Sequence, residues 1–452
     1  MPVIRIGDSA YNCMDNIILK GVILMFIYTV RPGNSIYYIS QLFGTDQQKI
    51  IEGNQIENPN VLVIGQAIVV PVESVRHTVV QGETLRMLAL RYQVPVAAIL
   101  RANPQITDPS LIRTGEVLTI PSQTENLGEK SVNGYAFPTI NESTLEKTLP
   151  NLTYCTVFSY QVKADGSLTQ IDDERAVNAA RQKNSAPMMS ITNIKPGGGF
   201  SSEIASEVLT NETAWNNLLN NAVQTMKSKK YFGLNIDFEY VLQKDKEAYN
   251  DFVKAASDRV HKSGFILSTS LAPKTGAAQR GLLYEAHDYP VHGRYTDFVI
   301  LMTYEWGYTY GPARAVAPLN LVEQVIRYAV SVIPNQKIFM GIPNYGYDWT
   351  LPFVQGTAAK PLTNPGAVSL AARVGARIYF DSAAQSPYFS YYDVSGRRHE
   401  VWFEDARSIN AKLRLADRYG LGGVSYWTIN SYFAQNWLIL GSTFKINKVL
   451  GI

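Results

Sequence analysis

The sequence predicts an α/β protein: a (β/α)8 TIM barrel that carries a small α+β insertion and follows two small β-α-α-β modules. Three observations predict this fold. Residues 26–72 and 75–122 repeat one pattern, as two copies of a single structural unit would. Downstream, short apolar runs alternate with helical stretches, which is typical of a parallel barrel. One of those runs also carries polar side chains at every second position.

The composition describes an ordered globular protein of several domains. Of 452 residues, 46% are hydrophobic and 17% are charged. The net charge of +3 argues against a protein that binds nucleic acid through a strongly basic surface. The 27 Tyr and 6 Trp suit a carbohydrate partner, because sugar C–H faces stack on flat rings, although they also fit a large core.

Cysteine and histidine usage predicts neither a metal nor a cofactor. Cys13 and Cys155 are the two cysteines, too few for a disulfide framework or a metal site. His287 and His292 lie close in sequence but lack a third ligand in a recognisable pattern. We therefore expect no metal, no cofactor and a monomeric protein.

The first 24 residues are interpreted as a doubtful leader. The apolar run 17–30 is interrupted by Lys20 and is too short to span a membrane as a helix. No small-residue cleavage site follows it, so it is not a convincing signal peptide. Met25 is an alternative start, and the sequence does not indicate an export route.

The repeats are predicted as modules 25–73 and 74–122, each a strand, two helices and a strand. Ser35 and Thr84 stand at equivalent positions, where they cap the first helix. Over their whole length both copies resemble LysM modules. The resemblance implies binding of glycans that contain N-acetylglucosamine, such as peptidoglycan, through the loops 60–64 and 110–114 and the following residues: Gly33, Asn34, Ser35, Gly82, Glu83 and Thr84. The alternative is that these residues only cap helices, and which copy binds stays open.

A polar linker, 123–130, precedes the barrel, which is predicted over 131–452 with an insertion at roughly 350–403. The predicted barrel strands are 134–138, 154–160, 187–191, 231–240, 265–271, 298–302, 338–342 and 423–427. Helical stretches lie between them, for example 172–183, 211–229, 244–262 and 321–332.

The fourth run, 231–241, has one apolar and one polar face at the strand period of two. Its apolar face is Phe232, Leu234, Ile236, Phe238 and Tyr240, and its polar face is Gly233, Asn235, Asp237 and Glu239. Asp237 and Glu239 are about 6.5–7 Å apart along the backbone, so their pKa values should separate and leave one as a proton donor. This predicts a glycosidase strand. The alternative is a pair in water at a strand end.

The barrel resembles family 18 glycoside hydrolases, whose fourth strand carries the motif DxxDxDxE. Here Asp237 and Glu239 hold the last two acidic positions, while Phe232 and Asn235 replace the first two. The family's MxYD motif appears as Met302-Thr303-Tyr304-Glu305. The seventh strand ends near Tyr345 and the eighth at Trp427, which matches the tryptophan under the reacting sugar.

The resemblance implies catalysis by Glu239, Asp237 and Tyr304 with retention of configuration, the substrate's own acetamido group acting as nucleophile. Asn235 is expected to hydrogen-bond Asp237. Glu305 is expected to contact the sugar, or else to pair with Arg314. The expected substrate-binding residues are Asn235, Met302, Glu305, Tyr345, Trp349 and Trp427.

The complete layout resembles bacterial spore cortical fragment-lytic enzymes, which implies N-acetylglucosaminidase activity on peptidoglycan at the spore coat, the cortex or the cell wall. Two alternatives remain: a glycan-binding barrel without activity, and a chitinase. The sequence leaves open whether cleavage is exo or endo and which glycan is cleaved.

Overall fold

The structure is a computed structural model that describes residues 24–451. Residues 1–23, which include Cys13 and all but the last residue of the predicted leader 1–24, lie outside the described residues. Met25 is buried, and its backbone N–H donates to Thr124 Oγ1 at 2.5 Å. No helix within residues 24–451 has both the length and the apolar character needed to cross a bilayer.

Each N-terminal module is a two-stranded antiparallel sheet with two helices, as predicted. Module 1 contains β1 (Phe26–Thr29), α1 (Ile36–Phe43), α2 (Gln47–Gly53) and β2 (Ala67–Val70). Module 2 contains β3 (Ser74–Thr78), α3 (Leu85–Tyr92), α4 (Val96–Ala102) and β4 (Val117–Pro121). The hydroxyls of Ser35 and Thr84 cap α1 and α3, accepting backbone N–H groups at 3.1 and 3.2 Å.

The two modules share one hydrophobic core. The rings of Phe43 and Tyr92 meet across it at 5.9 Å between centroids. The amide side chain of Gln93 accepts from the N–H of Thr29 and donates to its carbonyl, both at 2.8 Å. Gln123, in the segment predicted as a linker, accepts from the Ile27 N–H at 2.8 Å. These bonds satisfy the free edge of β1 and join the modules into one body.

The large domain is a closed parallel barrel of eight strands, which confirms the predicted fold. Its strands are β5 (Glu129–Ala136), β6 (Tyr154–Gln161), β7 (Ala186–Thr192), β8 (Gly233–Asp237), β9 (Ile266–Leu271), β10 (Phe298–Leu301), β11 (Ile338–Pro343) and β17 (Gly423–Trp427), and β17 closes on β5. A short strand, β18 (Lys445–Ile446), extends the sheet beside β5.

Helices pack around the outside of the barrel. They are α5 (Glu142–Thr148), α6 (Glu174–Gln182), α7 (Ser202–Leu209), α8 (Glu212–Lys229), α9 (Lys246–Lys262), α10 (Tyr289–Tyr295), α11 (Leu319–Val332), α13 (Ala406–Arg418) and α14 (Ala434–Thr443). Their apolar faces bury one large core against the outward side chains of the strands.

The alternation predicted for the fourth strand is confirmed for the residues of β8 itself. Leu234 and Ile236 are fully buried in the outer core, and Asn235 and Asp237 point to the barrel axis. Phe232 departs from the prediction. It precedes β8 and packs in the aromatic cluster at the opposite end of the barrel, because the strand starts at Gly233, two residues later than predicted.

The insertion follows the seventh barrel strand and forms its own sheet. It consists of β12 (Gly346–Leu351), β13 (Lys360–Leu362), α12 (Asn364–Arg373), β14 (Tyr379–Asp381), β15 (Ser386–Tyr392) and β16 (Arg398–Trp402). The five strands run in the order β13-β12-β16-β15-β14. The predicted α+β insertion therefore begins a few residues earlier, at Gly346.

Module 1 docks on the insertion and on the barrel. Val63 is 5% exposed and packs in the insertion's core, and the Ile378 N–H donates to the Ile64 carbonyl at 2.9 Å. Arg407 donates to the Gly65 carbonyl at 3.1 Å. A Cβ at Gly65 would lie 1.8 Å from the Ile378 carbonyl oxygen, so this contact requires glycine. The residues of module 1 in the barrel's core are Met25, Ile27, Ala67 and Val69.

Candidate active site

The predicted catalytic residues meet at the rim where the parallel strands end. Asp237 is the last residue of β8, and Glu239 stands two residues further. Tyr304 and Glu305 follow β10, and Trp427 is the last residue of β17. Parallel strands end on one rim of a barrel, so residues far apart in sequence converge there.

Three carboxylates crowd this rim without a cation. Burial raises the pKa of Asp237, which is 3% exposed. Burial, then the charge of Asp237 and that of Glu305, raise the pKa of the half-buried Glu239 well above its ordinary range. Within the described chain none of the three has an ion-pair partner in Lys, Arg or His. Such a cluster retains a proton near neutral pH.

Glu305 is the outermost of the three and is held by two phenols. Tyr345 donates to its Oε1, and Tyr347 donates to the same oxygen at 3.1 Å. Its backbone has φ +65°, which turns the side chain out to the exposed rim. Burial raises the pKa of Glu305, and the two tyrosine hydrogen bonds oppose that rise. The pair with Arg314 does not form.

Asn235 lies below the carboxylates, in a network of hydroxyls, and is fully buried. Its Oδ1 accepts from Tyr135 at 3.1 Å and from Ser190 at 3.2 Å, and its Nδ2 donates to Ser268 at 3.1 Å. The expected bond to Asp237 is absent, because the amide is saturated by these neighbours. Asn235 therefore supports the site from beneath, with its side chain fully buried.

Tyr304 lies against the barrel wall, where Gly341 leaves room for its ring. A Cβ at Gly341 would be 2.8 Å from Tyr304 Cε1. Burial, then the nearby Tyr135 and the carboxylates, raise the pKa of Tyr304 well above its ordinary value. The phenol is thus a proton-bearing hydrogen-bond donor. Met302, two residues before it, is 9% exposed and completes the wall.

Trp427 forms an aromatic floor. Its indole is half-buried, and the rings of Phe158, Tyr135 and Phe137 meet it edge-on at 4.8, 5.3 and 5.9 Å. The three rings hold the indole in place, and the flat face of an indole suits stacking of a sugar.

Trp349 is corrected: it does not line the cleft. It is 2% exposed, it packs in a cluster with Val316 and Tyr347, and its indole N–H donates to the Gly311 carbonyl at 2.9 Å. Its strand pairs at both edges inside the insertion sheet, which buries the ring. Tyr345 remains at the rim, half-buried beside Glu305.

The corresponding loops of the two modules differ at Asn34 and Glu83. In module 1, Asn34 Oδ1 accepts from the Tyr28 hydroxyl at 3.0 Å. In module 2, Glu83 is 8% exposed and lies 2.6 Å from both His77 Nε2 and Arg91 Nη1. The carboxylate of Glu83 is committed to this ion cluster, which corrects its expected contact with glycan.

The other predicted module residues keep the loops open. Gly33 and Gly82 have φ of +82° and +84°, and a Cβ would meet no atom within 4 Å at either. The side chains of Ser35 and Thr84 act as helix caps in this structure. Ser35 and Thr84 therefore serve the helices, as the alternative predicted, and Gly33 and Gly82 nearby are exposed.

Sequence reasoning missed the residues that support the site from a distance. Tyr135, Ser190 and Ser270 surround Asn235, and Asn193 contacts the backbone of Glu239. Only the inward register of β5, β7 and β9 could have indicated the first three. Within residues 24–451 no group of three or more His, Cys, Asp and Glu is placed to hold a metal.

A model of the family described as Glycosyl hydrolases family 18 matches residues 131–431. The chain belongs to glycoside hydrolase family 18. This family 18 glycosidase also matches the LysM domain at residues 28–71 and 77–121. The resemblances seen in the sequence are thereby confirmed.

Full-length relatives are similar to this family 18 glycosidase. The cortical fragment-lytic enzyme of Bacillus subtilis (strain 168) is 40% identical over 431 residues, covering 94% of this chain and 99% of that protein. The crystal structure of the Bacillus megaterium QM B1551 spore cortex-lytic enzyme SleL matches with a TM-score of 0.83 and 38% identity, covering 94% of this chain and all of that one. The Bacillus cereus SleL structure matches with a TM-score of 0.82 and 39% identity, covering 94% and 99%.

Proposed function

We propose that this family 18 glycosidase cleaves N-acetylglucosaminyl bonds in peptidoglycan of the spore cortex, with retention of configuration and with the substrate's acetamido oxygen as nucleophile. The carrying observation is the cation-free cluster of Asp237, Glu239 and Glu305 at the barrel mouth, above the floor formed by Trp427. The cortex-directed names of full-length relatives supply the substrate.

In the first step Glu239 protonates the glycosidic oxygen, since its raised pKa keeps it protonated near neutral pH. The acetamido oxygen attacks C1 as the glycosidic bond breaks, giving an oxazolinium ion. Asp237 Oδ1 is buried without a hydrogen-bond partner among the described residues, so it can accept the acetamido N–H and stabilise the positive charge. Tyr304 donates to the acetamido oxygen and holds it near C1.

In the second step the ionised Glu239 removes a proton from water, which attacks C1 and opens the oxazolinium ring. Two inversions at C1 leave the configuration retained. Glu305, fixed by Tyr345 and Tyr347, is placed to contact sugar hydroxyls beside the reacting ring.

The LysM modules would hold the enzyme on its polymer at the spore cortex or cell wall. Gly33 and Gly82 are exposed in the loops of the modules, whereas Val63 of the predicted glycan loop 60–64 is buried in the insertion's core. We expect a monomer, since one chain carries both the modules and the complete rim of catalytic groups.

The test is incubation of the enzyme with purified cortex fragments, followed by mass spectrometry of the soluble products. Glu239→Gln should lower turnover by about 10²–10⁴-fold while glycan binding persists. A substrate with a 2-hydroxyl in place of the acetamido group should resist cleavage. Unchanged turnover in Glu239→Gln would refute the mechanism. Binding without soluble products would indicate a lectin, and preferred cleavage of chitin oligosaccharides would indicate a chitinase.

A further inference from the structure

The backbone around Glu239 is held by side chains of neighbouring loops. The β-ladder of β8 ends at Asp237, so the next peptides have no strand partner. The Phe238 carbonyl accepts from His287 Nε2 at 3.0 Å, and the Tyr240 carbonyl accepts from the Ser202 hydroxyl at 2.6 Å. Tyr240 itself has φ +54°, so the chain turns sharply directly after Glu239.

Asn193 holds both backbone polar groups of Glu239. This residue follows β7 directly and is fully buried. The Glu239 N–H donates to Asn193 Oδ1 at 3.0 Å, and Asn193 Nδ2 donates to the Glu239 carbonyl at 2.8 Å. The same Nδ2 donates to the Ser201 carbonyl at 3.0 Å. One amide thus makes one acceptor and two donor contacts, all consistent with a single orientation of the side chain.

We infer that Asn193 is a positioning residue for the proton donor Glu239. A proton donor must lie within hydrogen-bond reach of the glycosidic oxygen, and supporting contacts are what hold such a group in place. A misplacement of about 1 Å can cost about 10²-fold in rate. Asn193 supplies the two backbone hydrogen bonds that a strand partner would otherwise make with Glu239. Only a side chain with both a donor and an acceptor can make both. The inference rests on the proposed role of Glu239.

The groups that face Glu239 make its placement visible in a pH profile. Asp237 and Glu305 raise its pKa, and Tyr240 and Tyr304 lie close enough to feel its charge. If the loop carrying Glu239 relaxes towards water, burial diminishes and its pKa falls. The alkaline limb of the profile of kcat/KM reports loss of the proton from the free enzyme's acid.

Asn193→Ala should therefore lower kcat by about 10–10²-fold with little change in KM, and should move the alkaline limb to lower pH. Asn193→Asp retains the acceptor for the Glu239 N–H but adds a negative charge beside it. Its alkaline limb should move to higher pH. It also keeps the test available if the alanine variant does not fold.

Asn133→Ala is the matched control. Asn133 is also fully buried in the barrel and makes two side-chain contacts, accepting from Thr156 at 2.7 Å and donating to Ser425 at 2.9 Å. Its loss should lower the melting temperature without moving the pH limb. Glu239→Gln is assayed in parallel.

If Glu239→Gln is inactive and Asn193→Ala keeps the wild-type limb and kcat, the positioning role is overturned and the proposed function stands. If Asn133→Ala also moves the alkaline limb, and both Asn193 variants move it in that same direction, the shift reflects a general effect on folding. The inference is then likewise overturned. Full activity of Glu239→Gln would instead refute the proposed function, and the inference with it.

Discussion

Buried carboxylates occur in two regions of the molecule, with opposite surroundings. Between the insertion and α13, Glu404 and Lys412 are both almost fully buried and joined by two bonds of 2.9 and 2.8 Å. Burial raises the pKa of Glu404, and Lys412 opposes that rise. At the rim, Asp237 and Glu239 lie close to each other and to Glu305, and neither is paired with Lys, Arg or His among the described residues. The pair of Glu404 and Lys412 is arranged as an ion pair that supports the fold. The pair of Asp237 and Glu239 is arranged to hold a proton at the rim.

A second buried carboxylate outside the site, Asp173, also has a cation beside it. Asp173 is 1% exposed, and Lys229 lies 2.6 Å from its Oδ1, while Tyr160 and Tyr231 donate to its Oδ2. A cation and hydrogen bonds compensate the cost of burying charge there. Among the described residues no cation compensates Asp237, and this difference separates a group that supports the fold from one suited to proton transfer.

The largest effect is expected when the buried ion pair of Glu404 and Lys412 is broken. Lys412→Met should destabilise the protein by about 3–5 kcal/mol, because it leaves the carboxylate of Glu404 buried without its cation. Urea unfolding near neutral pH measures this loss. The control is the double variant Glu404→Leu with Lys412→Met, which removes both charges and should recover most of the stability. Equal stability of Lys412→Met and wild type would contradict the comparison.

The buried histidines behind β8 extend the comparison to bases. Burial, and then the neighbouring His287, lower the pKa of His292 to about 3. As pH falls below the ordinary pKa of histidine, His292 takes up a proton in the unfolded chain but stays neutral in the folded chain. The free energy of unfolding therefore decreases on acidification. At about 1.4 kcal/mol per pH unit, this loss reaches about 3 kcal/mol near pH 4.

Urea unfolding across that pH range measures the slope. His292→Leu should flatten it relative to wild type, because one proton fewer is taken up on unfolding. An unchanged slope would show that His292 is not held neutral in the folded chain.

The smallest effect is expected at the rim. The raised pKa of Asp237 means that the folded chain keeps its proton above the pH at which the unfolded chain releases it, so stability falls as pH rises. Asp237→Asn should therefore lose activity but gain about 0.5–2 kcal/mol near pH 8, with no gain in acid.

Thermal melting near pH 8 and in acid tests this prediction. Asp393→Asn is the control, because the pKa of Asp393 is shifted in the opposite direction. Asp393 accepts backbone N–H groups of Ser395 and Arg397, and its pKa is lowered to about 2. Its replacement should destabilise at neutral pH. A loss of stability in Asp237→Asn would remove the contrast between the rim and the buried ion pair of Glu404 and Lys412.

The sequence predicts features that depend on the strand period and on the order of elements. It does not predict contacts between residues that are far apart in the chain. The period of two placed Asn235 and Asp237 on the barrel's inner face, because alternation is local. It could not show that Asn235 would be saturated by hydroxyls from three other strands. Trp349 follows the same logic: its pattern is that of a strand, but the insertion sheet decides that its ring is buried.

Asn193 was missed for the same physical reason. It stands 46 residues from Glu239, and a side-chain bond between two loops leaves no periodic trace. Glu83 was interpreted from its family position, and its partner Arg91 lies one helix length away. Contacts across loops set the electrostatics of both sites, and they become visible only once the chain is folded.

The docking of module 1 governs how this protein can be divided. A truncation that starts the chain at the barrel would uncover the surface on which Ala67 and Val69 are seated, and would leave the insertion without Val63. Gln435 Nε2, which donates at 2.8 Å to Asn54 Oδ1 and to the Ala67 carbonyl, would lose both acceptors. The isolated catalytic piece should therefore aggregate readily, because the N-terminal modules cover part of its apolar surface.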